Sequence, residues 1–403
     1  MFILIVSIFI IGYFAIALEG PLNINKSAVA LLTGVLCWTS YILLGTDNHL
    51  ISEQLAEHLG ELSGILFFLL GAMTIVELID AHDGFDIITS AIKTTNKRKL
   101  LWIICFLTFM LSAILDNLTT TIVMVSLLRK LIDNKNDRLF FVGMVVIAAN
   151  SGGAWSPIGD VTTTMLWIGG QVTASNIIVK LIVPSIISLV VPLTIVSLKL
   201  KGNISAVEKN TNHNKSELTK NERNTIFFTA IGGLIFVPIF KTITHLPPFM
   251  GVLFSLGVLW VVTELIHRKK EDEHKENLSV VTALQKIDTP SILFFLGILL
   301  AIATLQSTGI LNNLAQTMDE KIGNLNIIVP GIGLLSAIVD NVPLVAASMG
   351  MYDLNLYPTD SYIWEFLAYC AGTGGSILII GSAAGVAAMG LEKIDFMWYF
   401  KKI

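Results

Sequence analysis

Four runs of this 403-residue chain, at residues 2–18, 28–44, 64–79 and 177–198, approach or reach the roughly 20 apolar residues that span a bilayer. Between them they hold only two charged side chains, Glu77 and Lys180. In lipid the backbone can satisfy itself only as a helix or a closed barrel. Barrel strands would alternate apolar and polar residues, and these runs do not. The whole chain agrees: 54% of residues are hydrophobic and 14% charged, where a soluble domain carries about 25% charged residues. The fold class is therefore an all-α polytopic membrane protein, with the lipid bilayer as its surroundings. The N-terminus lacks a basic region and a small-residue cleavage site, so residues 2–18 read as a retained span. A net charge of −4 gives no reason to expect a nucleic-acid partner. Cys37, Cys105 and Cys370 lie inside apolar segments and read as small core residues.

Spans are expected near 2–18, 27–44, 62–80, 139–170, 174–200, 225–241, 249–266, 290–306 and 362–390. Lys201–Asn224 is polar and reads as a linker between two halves, 1–200 and 225–403. The hydrophilic stretch 267–277 reads as a solvated loop. Two apolar pairs are too short for ordinary spans. Residues 100–115 stop at Asp116 and residues 118–128 stop at Arg129; residues 327–339 stop at Asp340, and 343–351 follow. Helices of 11–16 residues cover about 16–24 Å, short of the bilayer core. Each pair is predicted to be a re-entrant hairpin, at 100–131 and 324–352, with Asp-Asn at its tip.

The tips are nearly identical: Ser-Ala-Ile-Leu-Asp-Asn at 112–117 and Ser-Ala-Ile-Val-Asp-Asn at 336–341. Upstream, Ile-Leu-Phe-Phe-Leu occurs at 65–69 and 292–296. Downstream, Ser151-Gly152-Gly153 with Gly159 corresponds to Thr373-Gly374-Gly375 with Gly381. The offsets, 227, 224 and 222 residues, hold one register. The first hairpin is flanked by lysines and arginines and the second by Asp319, Glu320, Asp353 and Asp360. By the positive-inside rule they enter from opposite sides, which is an inverted-topology repeat. At the last offset, span 174–200 should recur near 396–422, so a further helix past Ile403 is expected.

Acids inside apolar flanks are costly and usually functional. An Asp-Asn pair alone is also a common turn, but the duplication favours a site, so Asp116 with Asn117 and Asp340 with Asn341 are the first candidates. Asn150-Ser-Gly-Gly-Ala-Trp-Ser-Pro157, then Asp160 and Thr162-Thr163-Thr164, is the second. Its glycines and proline break the span at 139–170 and expose carbonyls beside a carboxylate and hydroxyls, an oxygen set suited to a hard cation. The competing reading is a packing kink with Asp160 as a helix cap. The corresponding break, in span 362–390, offers Thr373 and Ser376 and no acid, with Ser382 where Asp160 would stand. His82, just past a span, reads as an interfacial histidine. No phosphate-binding loop, hydrolase motif or metal-ligand cluster is visible, so neither an enzyme nor an ATP-driven pump is expected.

These blocks, SAILDNLTTT, ANSGGAWSPIGDVTTTMLW, SAIVDNVPL and AGTGGSILIIGSAAGVAAMG, in this order, make the chain resemble the NhaD-type sodium/proton antiporters of the ion transporter superfamily over nearly its whole length. The resemblance implies exchange of external protons for internal sodium or lithium across the cytoplasmic (inner) membrane, with no organic cofactor. It implies roles for Asp116, Asn117, Asn150, Asp160, Thr162, Thr163, Ser336, Asp340, Asn341 and Ser376. The superfamily's anion carriers imply a homodimer. Transported Na+ would be held by Asp116, Asp160 and Asp340. The alternative is a sodium-coupled anion or dicarboxylate symporter of the same architecture, disfavoured because an acid at each tip would repel an anion. A receptor or scaffold would need no paired tips.

Overall fold

The computed structural model describes residues 1–17, 22, 24–85, 87, 92, 94–204, 219–268, 278–337, 340–394 and 396–403. Among them there is no strand, only one isolated bridge between Asn96 and Asn203. The chain opens with α1 (Phe2–Ala17), α2 (Lys26–Leu44) and α3 (Asn48–Ala81). Next come α4 (Lys97–Leu115) and α5 (Asn117–Leu131), joined by Asp116 alone. Then α6 (Lys135–Ala154) and α7 (Val161–Ile168) are separated by residues 155–160, and α8 (Ala174–Lys199) follows. Beyond 219 lie α9 (Lys220–Thr244), α10 (Pro248–His267), α11 (Val280–Lys286), α12 (Thr289–Ser307) and α13 (Ile310–Lys321). α14 (Leu325–Leu335) and α15 (Asn341–Met351) form a second short pair; α16 (Tyr362–Gly374) and α17 (Ala383–Glu392) flank a second break; α18 (Phe396–Lys402) is last.

Seven of these, α2, α3, α4, α8, α9, α10 and α12, are long and apolar enough to cross a membrane, as an all-α polytopic membrane protein requires. Three boundaries differ from the hydropathy reading. α4 is 19 residues long, so the arm read as too short is long enough to span; its first turn is Lys97-Arg98-Lys99, capped by Asn96, and charge hid it. α3 begins at Asn48, well before 62, because Asp47 caps a polar stretch with good helix formers. α9 begins at Lys220, inside the stretch read as linker, where Thr219 and Glu222 form a reciprocal capping box. Most of the linker and of loop 267–277, together with Ile338 and Val339 before the second tip, lie outside the described residues.

The helices pack as two groups. α2 lies along α12, tied by Trp38 Nε1 donating to Leu300 O at 2.9 Å and Ser27 Oγ to Pro290 O at 2.7 Å; α1, α3, α9 and α10 gather round this pair. The other group is α4–α7 with α14–α17, and α8 packs on its α6 and α16. Corresponding atoms meet in its two parts. Ser112 Oγ donates to Ala149 O at 2.6 Å, and Ser336 Oγ to Ala371 O at 3.0 Å. A Cβ on Gly152 would collide with the carbonyl of Phe109, and one on Gly374 with that of Gly333. Only glycine lets these backbones approach so closely.

Candidate ion-binding site

Each of the three singled-out aspartates starts a helix. Asp160 caps α7: its Oδ1 accepts from Thr162 N at 2.9 Å and Thr162 Oγ1 at 2.7 Å. Asp116 caps α5, accepting from Thr119 N and Thr119 Oγ1, each at 2.8 Å. Asp340 caps α15, accepting from Val342 N at 3.1 Å. Helix N-termini carry partial positive charge, so each carboxyl group is oriented by a fixed dipole. The cap reading of Asp160 is thus correct as local structure. It leaves the second oxygen free for other work.

That oxygen belongs to a buried amide chain. Asn117 Nδ2 donates to Asp160 Oδ2 at 2.8 Å and to Asn150 Oδ1 at 3.0 Å. Asn150 Nδ2 in turn donates to Ser376 Oγ and to Ser382 Oγ, each at 2.9 Å. Asp160 is 1% exposed and Asn150 0%. One side chain, Asn150, therefore joins a tip residue, the first break and the second break. Asn341, also buried, lies near Asp160, and its Nδ2 has no well-aligned acceptor. Asp160 is the common neighbour of the other two acids: its charge is felt at Asp116, and that of Asp340 is felt at Asp160.

The two tips are unequal. Asp116 has φ 77° and ψ 160°, a conformation rare for a residue with a Cβ, whereas Asp340 has an ordinary φ of −48°. Backbone held so costs about 1–3 kcal/mol and persists where its surroundings fix it. Here the join between α4 and α5 is a single residue, with both carboxylate oxygens anchored on Thr119. A small cavity beside Asp116 is walled by Phe68, Leu69 and Met73 of α3 and by Leu234 of α9, so this acid looks onto the other helix group.

Three expected side chains point elsewhere. Ser336 Oγ donates to Gly333 O and Ala371 O, Thr373 Oγ1 to Tyr369 O at 2.6 Å, and Thr163 Oγ1 to Ala154 O at 3.4 Å. Their hydroxyls are spent on backbone. Ser382, read from the sequence only as the neutral counterpart of Asp160 at offset 222, joins the amide chain, and Lys26 was missed. Lys26 Nζ lies 4.0 Å from Asp340 Oδ2, and in the sequence it is merely the first charge of a span. His82, just past the end of α3, is fully buried, with Nδ1 2.6 Å from Leu78 O and Nε2 2.9 Å from His267 Nε2.

Among the described residues no three His, Cys, Asp or Glu side chains are grouped to hold a resident metal. What converges is carboxylate, amide and hydroxyl oxygen around one central acid. Such donors suit small hard cations.

The family described as "Citrate transporter" matches residues 13–372. Sodium/proton antiporter 1 of Arabidopsis thaliana is 50% identical over 397 residues, covering 98% of this chain and 68% of the relative. Sodium/proton antiporter 2 of the same plant is 48% identical, covering 98% and 94%. The Na(+)/H(+) antiporter NhaD of Vibrio parahaemolyticus is 32% identical over 93% of this chain and 94% of its own length. By that match, and by relatives this similar along almost the whole chain, this is a multi-pass membrane protein of the citrate transporter family, in its group of NhaD-type sodium/proton antiporters.

Proposed function

We propose that this protein exchanges Na+ for H+ across the cytoplasmic membrane, proton and cation contending for carboxylate oxygens around Asp160. The observation that carries the reading is the Asn117–Asp160–Asn150–Ser376/Ser382 chain: a buried acid at a helix break, with one oxygen held by a fixed cap and the other by an amide that can re-orient. A carboxylate removed from water needs a neutralising partner, and either a proton or a monovalent cation supplies it. Both cannot do so at once, which couples two opposite fluxes without ATP. Asp116 and Asp340 supply the second charge from either tip, Asn341 has an amide to turn toward the ion, and Thr162 keeps Asp160 oriented. Lithium belongs to the same proposal, since the donors select hardness and charge.

The architecture proposed with it is an inverted repeat of residues 1–200 and 225–403 with two re-entrant hairpins. The paired Ser112/Ser336 and Gly152/Gly374 contacts support the repeat, and the opposite flanking charges support the inversion. A homodimer is the assembly this architecture implies. Transport of an anion with sodium is the second reading, favoured by the family's description and by the neutral Ser376 and Ser382. Three acids around the site weigh against it.

The test uses purified protein in proteoliposomes carrying an internal pH dye. Addition of Na+ or Li+ should move protons, and K+ or succinate should not. Asp116→Asn, Asp160→Asn and Asp340→Asn should each abolish the signal. Normal exchange in all three would refute the mechanism, and succinate-dependent Na+ uptake would favour the symporter.

A further inference from the structure

Asp340 differs from the other two acids in facing a cation. Its partner Lys26 belongs to the opposite helix group. It is the first residue of α2, with Nζ 4.0 Å from Asp340 Oδ2 and 4.7 Å from the centre of the Phe294 ring on α12. Ser27, next in sequence, is bonded to Pro290, so the α2–α12 pair and not the hairpin sets where the ammonium sits. The stem packs on an aromatic face and the charge meets the tip of the second hairpin. Both side chains are largely covered, at 22% and 16% exposure. Among the described residues, the other ionisable groups facing Asp340 are Asp160 from α7 and the buried Tyr13 hydroxyl of α1, which has no hydrogen-bond partner among them. A separation of 4.0 Å is a loose pair, close enough to neutralise and too long for a hydrogen bond.

We propose that Lys26 is the exchangeable counter-ion of Asp340: the ammonium neutralises the acid while the site is empty and yields to Na+ when the ion arrives. One positive charge replaces another, so the tip is never left as a bare anion in apolar surroundings. Because the pair bridges the two helix groups, sodium arriving also releases the hairpin tip from α2 and α12, linking occupancy to the movement that alternating access needs. Lys26 is thus a positioning residue whose competition sets sodium affinity. The inference rests on the antiport reading above.

The experiment is Na+-dependent thermal stabilisation of the purified full-length chain, with exchange kinetics measured beside it. Lys26→Gln should lower the half-saturating Na+ concentration about three- to fivefold, the upper range of a partly exposed pair. It should lower the KM for Na+ by a like factor. Lys26→Arg keeps the charge and should stay within about twofold of the wild type. Lys26→Met, which keeps the stem on Phe294, replaces the glutamine variant if that one is unstable. An unchanged or raised half-saturation in the neutral variants overturns the proposal, as does equal behaviour of glutamine and arginine. Failure of both neutral variants to fold where arginine folds also overturns it, since the charge would then serve folding. A wild type with neither Na+ stabilisation nor exchange would sink the antiport reading itself.

Discussion

Asn150 has the most exacting position of any residue in the site. It is wholly buried, and its amide is used at both ends: the oxygen receives Asn117 and the nitrogen reaches Ser376 and Ser382. Asn150→Ala would take one of two acceptors from Asn117 Nδ2 and leave the Ser376 hydroxyl unbonded, while Ser382 keeps only Gly385 N. Each buried group so orphaned costs about 1–3 kcal/mol. We expect a clear fall in the detergent unfolding midpoint together with lost exchange; an unchanged midpoint would mean the chain is not cooperative. Asp160→Asn makes the opposite test. Asparagine caps a helix about as well as aspartate, so α7 should survive and the midpoint should stay near wild type while exchange disappears. Much of this was legible in the sequence, because duplication singled out Asp116 and Asp340, and the Gly-Gly breaks singled out Asn150, Asp160 and Ser376. Which hydroxyls turn inward was not legible. Thr373 and Ser336 look as polar as Ser376, but a hydroxyl on a helix can bond its own preceding carbonyls, and only the local rotamer decides. Lys26 escaped for another reason. A lysine at the start of a span is ordinarily interfacial, and nothing local says that a distant hairpin tip will reach it.

At the scale of elements, the far end of each broken span is fastened to residues that lead into the other. Glu392, ending α17 and 3% exposed, takes Arg129 Nε at 2.5 Å on one oxygen and Arg138 Nε at 2.9 Å on the other; Arg129 also bonds the Leu391 carbonyl. At the corresponding end of α7 the partners are neutral or backbone. Asp360 accepts from Thr173 N at 2.7 Å and Thr173 Oγ1 at 2.9 Å, and Thr359 Oγ1 donates to Gly170 O at 2.7 Å. Arg138 and Asp360 are themselves 222 residues apart, so one position does the same fastening job twice with opposite charge. Removing the acid from a buried double pair leaves two guanidinium groups facing each other. Such breakage costs about 3–5 kcal/mol, and the half-exposed Arg129 puts Glu392→Gln at the low end. We expect a drop of several degrees in the unfolding midpoint, read by tryptophan fluorescence in detergent, with Lys substituted for Arg138 giving a smaller loss. No drop would mean the clamp is ornamental. Hydropathy could not find this clamp, because Glu392 follows an apolar run and reads as the end of a span. The polar start of α3 was hidden likewise: pattern reading measures apolar length, while a helix continues wherever caps and propensity allow.

On the scale of the molecule, those same elements surround one large opening. A cavity of about 570 Å³ lies between α3, α7, α12, α13 and α15. Its rim carries His58, Glu61, Gln306, Asn312 and Asp353, and deeper it is lined by Ile65, Met165, Leu299 and Ala346. Met165 and Ala346 lie about one helical turn beyond Thr162 and Asn341 respectively, so the apolar lining separates the cavity from the site by little more than a side-chain layer. The ends of α2 and α12 at the Lys26–Asp340 contact are the opposite ends from the one where Ser307 meets His58. The cavity and the Lys26–Asp340 contact thus lie toward opposite ends of the α2–α12 pair. No sequence pattern reveals it, since the cavity walls come from five helices that are distant in the chain and individually unremarkable in composition. If the acidic rim faces outward, as the flanking charges argue, Gln306→Cys in intact cells should react with a membrane-impermeant maleimide. Cys37 and Cys105 are buried, and the partly exposed Cys370 is replaced by serine to remove background. Excess Na+ should slow the labelling if sodium drives the hairpin group away from this opening, and protons should reverse that effect. Labelling only from the cytoplasmic face, in everted vesicles, would turn the molecule over in the membrane and with it the direction assigned to every gate.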